Sequence, residues 1–311
     1  MRLTVVMPVY NAMPYLPLAV SSILGQSFED FRLVAVDDGS TDKSLDYLYS
    51  VADPRLCVVR MPGRHGQGAA RNVAIRSCET EYLAFADADD VSLPTRLSVQ
   101  VDYLDRHSEI GMLGTCVAYI GPSGRPGFPP PLALDHTTIR RDLMLGRHAV
   151  ANNTLMFRTS VFDRTGVFRI NGAGEDWDLF LRMTEVTGVA NLSRLLVHYR
   201  LHGGSTNEKQ AEVLRLRYAH ACECALNRAA SVLESSFDDF CARQLRRPAW
   251  LRAMDQLGHL SASQYRTGVV DVLEGAVFRG YGRLALAALL MPQRLAQRAC
   301  RTLRFLFRAG K

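Results

Sequence analysis

The sequence predicts an α/β protein: a Rossmann-like, mostly parallel sheet flanked by helices, followed by a purely α-helical C-terminal region. Three observations predict it. Short β-rich runs alternate with helical patterns through the first half, as expected of parallel strands joined by crossover helices. Acidic clusters stand at the ends of two of those runs, where open parallel sheets bind ligands. From Asn207 onward the strand signals cease.

The elements follow in order. Residues 3–7 are a β-rich strand, and 14–26 a helix with Pro14 in its first turn, where a missing N–H is harmless. Residues 32–37 form the second strand, leading through the turn Asp38-Gly39-Ser40 into a helix over 42–50. Residues 56–60 form the third strand. A glycine-bearing loop from Gly63 then opens a helix over 66–77. Residues 82–86 are the fourth strand, 94–107 a helix and 111–120 strand-like. The Pro/Gly-rich stretch 121–131 marks a change of register. Beyond it come a helix around 138–145, a strand near 154–157, a helix over 177–187, and apolar runs at 189–192 and 195–201. This organisation predicts an α/β domain over 1–205, in two halves at about 1–110 and 111–205. A helical accessory region over 206–311 follows.

Composition removes several classes. With 311 residues, 48% hydrophobic and 22% charged, the chain can build a core without disulfide staples. A mean hydropathy of −0.03 excludes a polytopic membrane protein. Seven cysteines at irregular spacing make no disulfide framework, and Cys222 and Cys224 lack the second pair that a zinc site wants. A reducing compartment follows. The uncharged stretch 3–28 is broken by Pro8, Pro14 and Pro17, so it is neither a signal peptide nor a span. The expected location is cytoplasmic.

Charge is unevenly placed. Of the net +6, eight Lys/Arg and no Asp/Glu follow Glu274, which leaves −2 on residues 1–274. That distribution argues against a nucleic-acid partner. At 100° per residue, Arg294, Arg298, Arg301, Arg304 and Arg308 fall on one arc, with Leu295, Leu303, Leu306 and Phe307 opposite. Such a helix lies on an anionic membrane surface, or docks its apolar side on the catalytic domain or a second subunit.

Three acidic constellations carry the chemistry: Asp37-Asp38-Gly39-Ser40, Asp87-Ala88-Asp89-Asp90, and Glu175-Asp176-Trp177-Asp178 at a helix start. Each alone has a plain structural explanation: a turn, a helix cap, a complement to a helix dipole. Together, in this order, they point to a site. Carboxylates crowded in one loop repel unless a cation neutralises them, and hard oxygen ligands suit Mg²⁺ or Mn²⁺ bridging substrate phosphates.

The chain resembles family 2 glycosyltransferases of the GT-A fold over about residues 1–205. Seven segments carry the resemblance. They are Val6-Met7-Pro8-Val9-Tyr10-Asn11, Ser22-Ile23-Leu24-Gly25-Gln26-Ser27-Phe28, Val36-Asp37-Asp38-Gly39-Ser40-Thr41-Asp42 and Gly66-Gln67-Gly68-Ala69-Ala70-Arg71-Asn72. Ala86-Asp87-Ala88-Asp89-Asp90, Gly174-Glu175-Asp176-Trp177 and Tyr199-Arg200-Leu201-His202 complete the set. The resemblance implies an inverting, metal-dependent transfer from a nucleotide-sugar donor, UDP-linked, to a glycan or lipid-linked acceptor in surface polysaccharide or lipopolysaccharide synthesis. It makes 1–205 a catalytic domain, with a nucleotide-binding half at about 1–110 and an acceptor half at about 111–205. In it Pro8 and Tyr10 line the nucleoside pocket, and Asp38, with Asp37 nearby, accepts a hydrogen bond from the base. Arg71 faces base or diphosphate. Asp87 and Asp89 form the D-x-D motif, with Asp89 as the direct ligand of Mn²⁺ or Mg²⁺. Asp176 is the general base. His202 contacts metal or diphosphate, or is a bystander. Glu175 touches the acceptor or a backbone amide, and Trp177 stacks on a sugar or anchors its helix.

Rival classes fit less well. A non-catalytic nucleotide-sugar-binding scaffold would have no need of Asp89 and Asp176, and both are present. A sugar nucleotidyltransferase wants a Gly/Arg-rich loop after the first strand, where this chain has Tyr10-Asn11-Ala12. The spacing Gly63-x-x-Gly66-x-Gly68 is not a dinucleotide fingerprint.

Overall fold

The computed structural model describes residues 1–125, 127, 132–169, 175–202 and 211–292. The chain divides into two compact units. One comprises Met1–Val117 with Ala133–Tyr199, the other Ala118–Leu132 with Arg200–Lys311.

The first unit is built on a mixed sheet. Its strands are β1 (Leu3–Val9), β2 (Phe31–Asp37), β3 (Leu56–Arg60), β4 (Tyr82–Phe85), β5 (Val91–Ser92), β6 (Ile110–Ile120), β7 (Met156–Arg158) and β8 (Gly188–Arg200). They lie in the order β3-β2-β1-β4-β7-β6-β8-β5. The strands expected from the first half form the parallel side: β3, β2, β1 and β4 pair in parallel. Beyond β4 the pairings of β4 with β7, β7 with β6, and β5 with β8 are antiparallel. β1 is central, covered on both faces, and therefore reads as a near-continuous apolar run.

Helices α1 (Leu16–Leu24), α2 (Ser44–Ser50), α3 (Gln67–Arg76) and α4 (Arg96–Arg106) alternate with these strands. Leu3, Val5, Met7 and Val9 of β1 alternate inward with Leu16, Ala19, Val20 and Ile23 of α1, and with Leu97, Val101 and Leu104 of α4. α1 starts two residues later than expected, because residues 12–15 form a turn in which Tyr15 donates to the Ala12 carbonyl. The unit is completed by α5 (His136–Met144), a 3₁₀ turn at Asn152–Thr154, α6 (Val161–Thr165) and α7 (Glu175–Val186).

Three features escape the sequence patterns. β5 has two residues, too few for a period. α6 has five. The two apolar runs at 189–192 and 195–201 belong to one strand, β8, whose exposed Ser193 and Arg194 interrupt the pattern without ending it.

From Ala211 onward the described part of the second unit carries four helices: α8 (Ala211–Ala229), α9 (Phe237–Leu245), α10 (Ala249–Leu273) and α11 (Val277–Leu290). α10 and α11 approach closely because a Cβ on Gly268 would stand 2.9 Å from the Gly280 carbonyl oxygen. Asp271 of α10, 8% exposed, is paired with Arg279 at 2.9 Å and Arg283 at 3.0 Å. The basic segment holding Arg294, Arg298, Arg301, Arg304 and Arg308 lies outside the described residues.

Candidate active site

The parallel register sets Val9 beside Asp37, so the chain leaves β1 and β2 side by side. The two exits are stitched together. The Asp38 N–H donates to the Val9 carbonyl at 2.8 Å, and Asn11 Oδ1 accepts from the Thr41 N–H at 2.8 Å and the Asp42 N–H at 3.2 Å. Gly39 has φ +77°, and a Cβ there would stand 2.7 Å from the Gly63 carbonyl carbon, so the turn requires glycine. The buried Asp38 carboxylate accepts the His65 N–H at 2.6 Å and the Gly66 N–H at 2.8 Å. A carboxylate has about four acceptor positions, so these two donors leave capacity for a further one. Asp37 is fully buried and accepts the Ser40 N–H with both oxygens at 3.3 Å. Pro8 is half-buried in β1. Tyr10 is exposed, with the Arg64 guanidinium 4.2 Å over its ring.

The second constellation follows β4. Asp87 and Asp89 are half-buried, and Asp90 is buried. Arg71 of α3 reaches Asp87 Oδ1 at 2.6 Å with a side chain only 1% exposed. Its guanidinium lies 5.1 Å from the Phe85 ring and 5.9 Å from that of Phe168. Phe168 is held there by Asn72, which bonds both the N–H and the carbonyl of that residue at 2.9 and 2.8 Å. The guanidinium is therefore sealed inside, on Asp87, rather than facing a base or diphosphate. Burial holds the Asp87 carboxyl above the usual aspartate range, Arg71 opposes that rise, and repulsion from Asp89 adds to it.

A second buried arginine, Arg96, fixes the loop's ends. It donates to the Phe85 carbonyl at 2.6 Å, Ser92 Oγ at 3.0 Å and Gln100 Oε1 at 3.1 Å. Burial pulls its pKa down to about 10, against the pull of Asp87 and Asp90.

The third constellation opens α7 and places Glu175, Asp176 and Asp178 in its first turn, where carboxylates complement the helix dipole. The Gly172-Ala173-Gly174 stretch expected before it lies outside the described residues. Asp176 Oδ1 accepts the Trp177 N–H at 2.9 Å. Burial raises the Asp176 carboxyl above the usual range, Arg71 lowers it and Asp87 raises it further. Arg71 is thus within electrostatic reach of two constellations at once. Glu175 packs on α3, its carboxylate in the space that a Cβ on Gly68 would occupy.

One further expectation changes. Trp177 is 2% exposed, donates its indole N–H to the Leu143 carbonyl at 3.2 Å and meets His148 edge-on at 5.2 Å. It anchors α7 and presents no face to a sugar. His202 is half-buried. Among the described residues no group of three or more His, Cys, Asp or Glu side chains is placed to hold a metal ion. A Mg²⁺-type ion held by one or two carboxylates and substrate phosphates needs no such cage, and the hard oxygens of Asp87 and Asp89 fit that arrangement.

Sequence reasoning missed Asn11, Arg64, Arg96, Asn152 and Asn153. Asn152-Asn153 reads only as a turn dipeptide, and Arg96 as one more cation on an amphipathic helix.

Comparison with known proteins identifies the family. Residues 4–166, just over half of the chain, match the family model described as Glycosyl transferase family 2. The chain is similar to the O-antigen biosynthesis glycosyltransferase WbnJ of Escherichia coli, at 31% identity over 66% of this chain and 82% of that protein. It is also similar to the Escherichia coli UDP-Glc:alpha-D-GlcNAc-diphosphoundecaprenol beta-1,3-glucosyltransferase WfaP, at 26% identity over 68% of this chain and 82% of that one. Among solved structures, S. aureus TarS in complex with UDP-GlcNAc superposes with a TM-score of 0.58. The match has 20% identity and covers 100% of this chain and 93% of that one, so it is a likeness of fold.

Proposed function

The chain belongs to glycosyl transferase family 2 and is a glycosyltransferase of GT-A fold, and from that premise we propose how it works and on what. It moves a sugar from a UDP-linked donor to a hydroxyl of a glycan or lipid-linked acceptor, with inversion, in the synthesis of a surface polysaccharide. The observation that supports this most is the shared position of Arg71, which is bonded to Asp87 and within electrostatic reach of Asp176. WbnJ, a glycosyltransferase of O-antigen biosynthesis, and WfaP, which acts on an alpha-D-GlcNAc-diphosphoundecaprenol, support the acceptor class.

Asp38 takes the uracil N–H with its remaining acceptor capacity, and Tyr10 and Pro8 border the base, with Asp37 bracing the turn beneath. Asp87, pinned by Arg71, and Asp89 form the diphosphate end of the pocket. A Mn²⁺ or Mg²⁺ ion held there would offset charge on the departing diphosphate. Asp176 accepts the acceptor's proton as the hydroxyl attacks C1, and a carboxyl raised above its ordinary range is a stronger base for that purpose. One base and one direct displacement invert the anomeric centre, in contrast to the two-carboxylate double displacement of retaining glycosidases. Glu175, seated on Gly68, borders the acceptor. Catalysis is assigned to residues 1–205 and an accessory role to 206–311.

A panel of UDP-, GDP- and dTDP-sugars with Mn²⁺ tests the donor. Protection against thermal unfolding and slow hydrolysis are expected with a UDP-sugar. A response confined to another nucleotide would overturn the UDP assignment.

We also place the enzyme at the cytosolic face of a membrane. No helix among the described residues is long and apolar enough to cross one. Phe278 and Leu289 of α11 are 97% and 80% exposed, and eight Lys/Arg with no acid follow Glu274. Full-length protein is expected to sediment with vesicles containing anionic lipid and to release as salt rises, since each surface cation contributes about 1 kcal/mol and is screened. Protein that stays in the supernatant at low salt would overturn this placement.

A further inference from the structure

The 3₁₀ turn at Asn152–Thr154 presents two adjacent carboxamides to the acidic loop, and each is used differently. In the amide orientation that its neighbours require, Asn152 Oδ1 accepts from both terminal nitrogens of Arg71, at 3.1 and 2.9 Å. One of those nitrogens also carries the 2.6 Å bond to Asp87. Asn153 Nδ2 donates to Asp90 Oδ2 at 2.5 Å in the interior. The first amide therefore acts as an acceptor at one end of the Asp87–Asp90 loop, and the second acts as a donor at the other.

The turn is itself rigidly mounted. Thr154 Oγ1 accepts the Thr115 N–H at 3.1 Å and donates to the Ala151 carbonyl at 2.7 Å. The Thr154 carbonyl accepts from Gln100 at 2.8 Å, and the Leu155 carbonyl accepts the Phe85 N–H at 2.8 Å. The turn is thus tied to β4, β6 and α4, the elements that frame the loop.

Asn153 is 1% exposed, and its Oδ1 has no hydrogen-bond partner. A buried amide oxygen without a donor is unfavourable. A residue that only filled this space would be more stable as an apolar side chain, so the amide is there for its N–H.

We infer that Asn152 and Asn153 are positioning residues that hold Asp87 and Asp90, and the Asp89 carboxylate between them, in the geometry that receives the donor's metal–diphosphate group. This rests on the reading of that loop as the diphosphate end of the pocket.

The experiment is calorimetric binding of UDP, with and without Mn²⁺, to full-length variants. Asn153→Ala removes one hydrogen bond to a charged group and should weaken Mn²⁺–UDP binding about tenfold, with metal-free UDP binding changed by less than about twofold. One and the same substitution should have opposite outcomes at the two neighbours. Asn152→Asp keeps an oxygen on Arg71 and should bind Mn²⁺–UDP within about threefold of the parent, whereas Asn153→Asp sets a carboxylate against Asp90 and should lose at least about tenfold. Equal weakening with and without Mn²⁺, no weakening in either, or failure of Asn153→Ala to fold would make the pair structural and overturn the inference. Asp89→Ala separates the two claims. If it leaves Mn²⁺–UDP binding intact, the reading of the loop is wrong. If it abolishes the Mn²⁺ effect while the Asn variants behave as the parent, only the inference is wrong.

Discussion

Asp176→Asn is expected to lower sugar transfer by about 10²–10⁴-fold, the usual cost of removing a general base. Asparagine keeps the shape of the side chain, and its oxygen can still accept the Trp177 N–H that Asp176 Oδ1 takes at 2.9 Å. What it loses is the capacity to take a proton. UDP affinity should therefore barely change, since the base serves the acceptor. The pH profile adds a second readout. Burial raises Asp176 more than Arg71 lowers it, so its ionised form is depleted at a higher pH than for an ordinary aspartate. Activity should fall on acidification through that raised value, and the residual activity of Asp176→Asn should lack this limb. Glu175→Gln should be milder, because Glu175 sits against Gly68 and holds α7 near α3. Near-normal transfer by Asp176→Asn together with loss in Glu175→Gln would exchange the two roles.

Chelation of metal, or Asp89→Ala, is expected to reduce donor turnover by about 10²–10³-fold, the scale of losing one preorganised electrostatic contact to developing charge. The chelated parent should recover with Mn²⁺ or Mg²⁺, and the variant should not. Asp87→Ala should differ in kind, because it also strands a buried guanidinium whose charge it balances at 2.6 Å; that variant should be destabilised as well as inactive. His202→Ala should have the smallest effect of these. Full turnover in chelator would remove the metal from the reaction.

The parallel side of the sheet was legible because each of its strands is a buried apolar run bounded by turn residues, as β1 and β2 are. Tyr82–Phe85 was legible for the same reason. The antiparallel side was less so. β5 gains its identity from pairing with Val197 and His198, more than a hundred residues away, and two residues carry no periodicity of their own. Candidate residues whose surroundings are local could be placed on the fold from sequence: Asp38 beside an obligatory glycine, the crowded Asp87–Asp90 loop, the acids opening α7. Residues whose role depends on distant partners could not. Arg71 looked like a ligand contact until Phe85, Phe168 and Asp87 enclosed it. Trp177 left two readings open until the Leu143 carbonyl claimed its indole N–H.

The sealed arginine has a genetic consequence. One guanidinium answers to Asp87 and to Asp176, so changes at those two carboxylates are not independent and their energetic effects will not add. A lineage that alters the carboxylate at 176 changes the charge felt at 87, and the reverse holds. Drift toward a new acceptor is therefore easier at positions that Arg71 does not reach. Positions outside that reach are freer to diverge than the triad of Arg71, Asp87 and Asp176, whose members constrain one another.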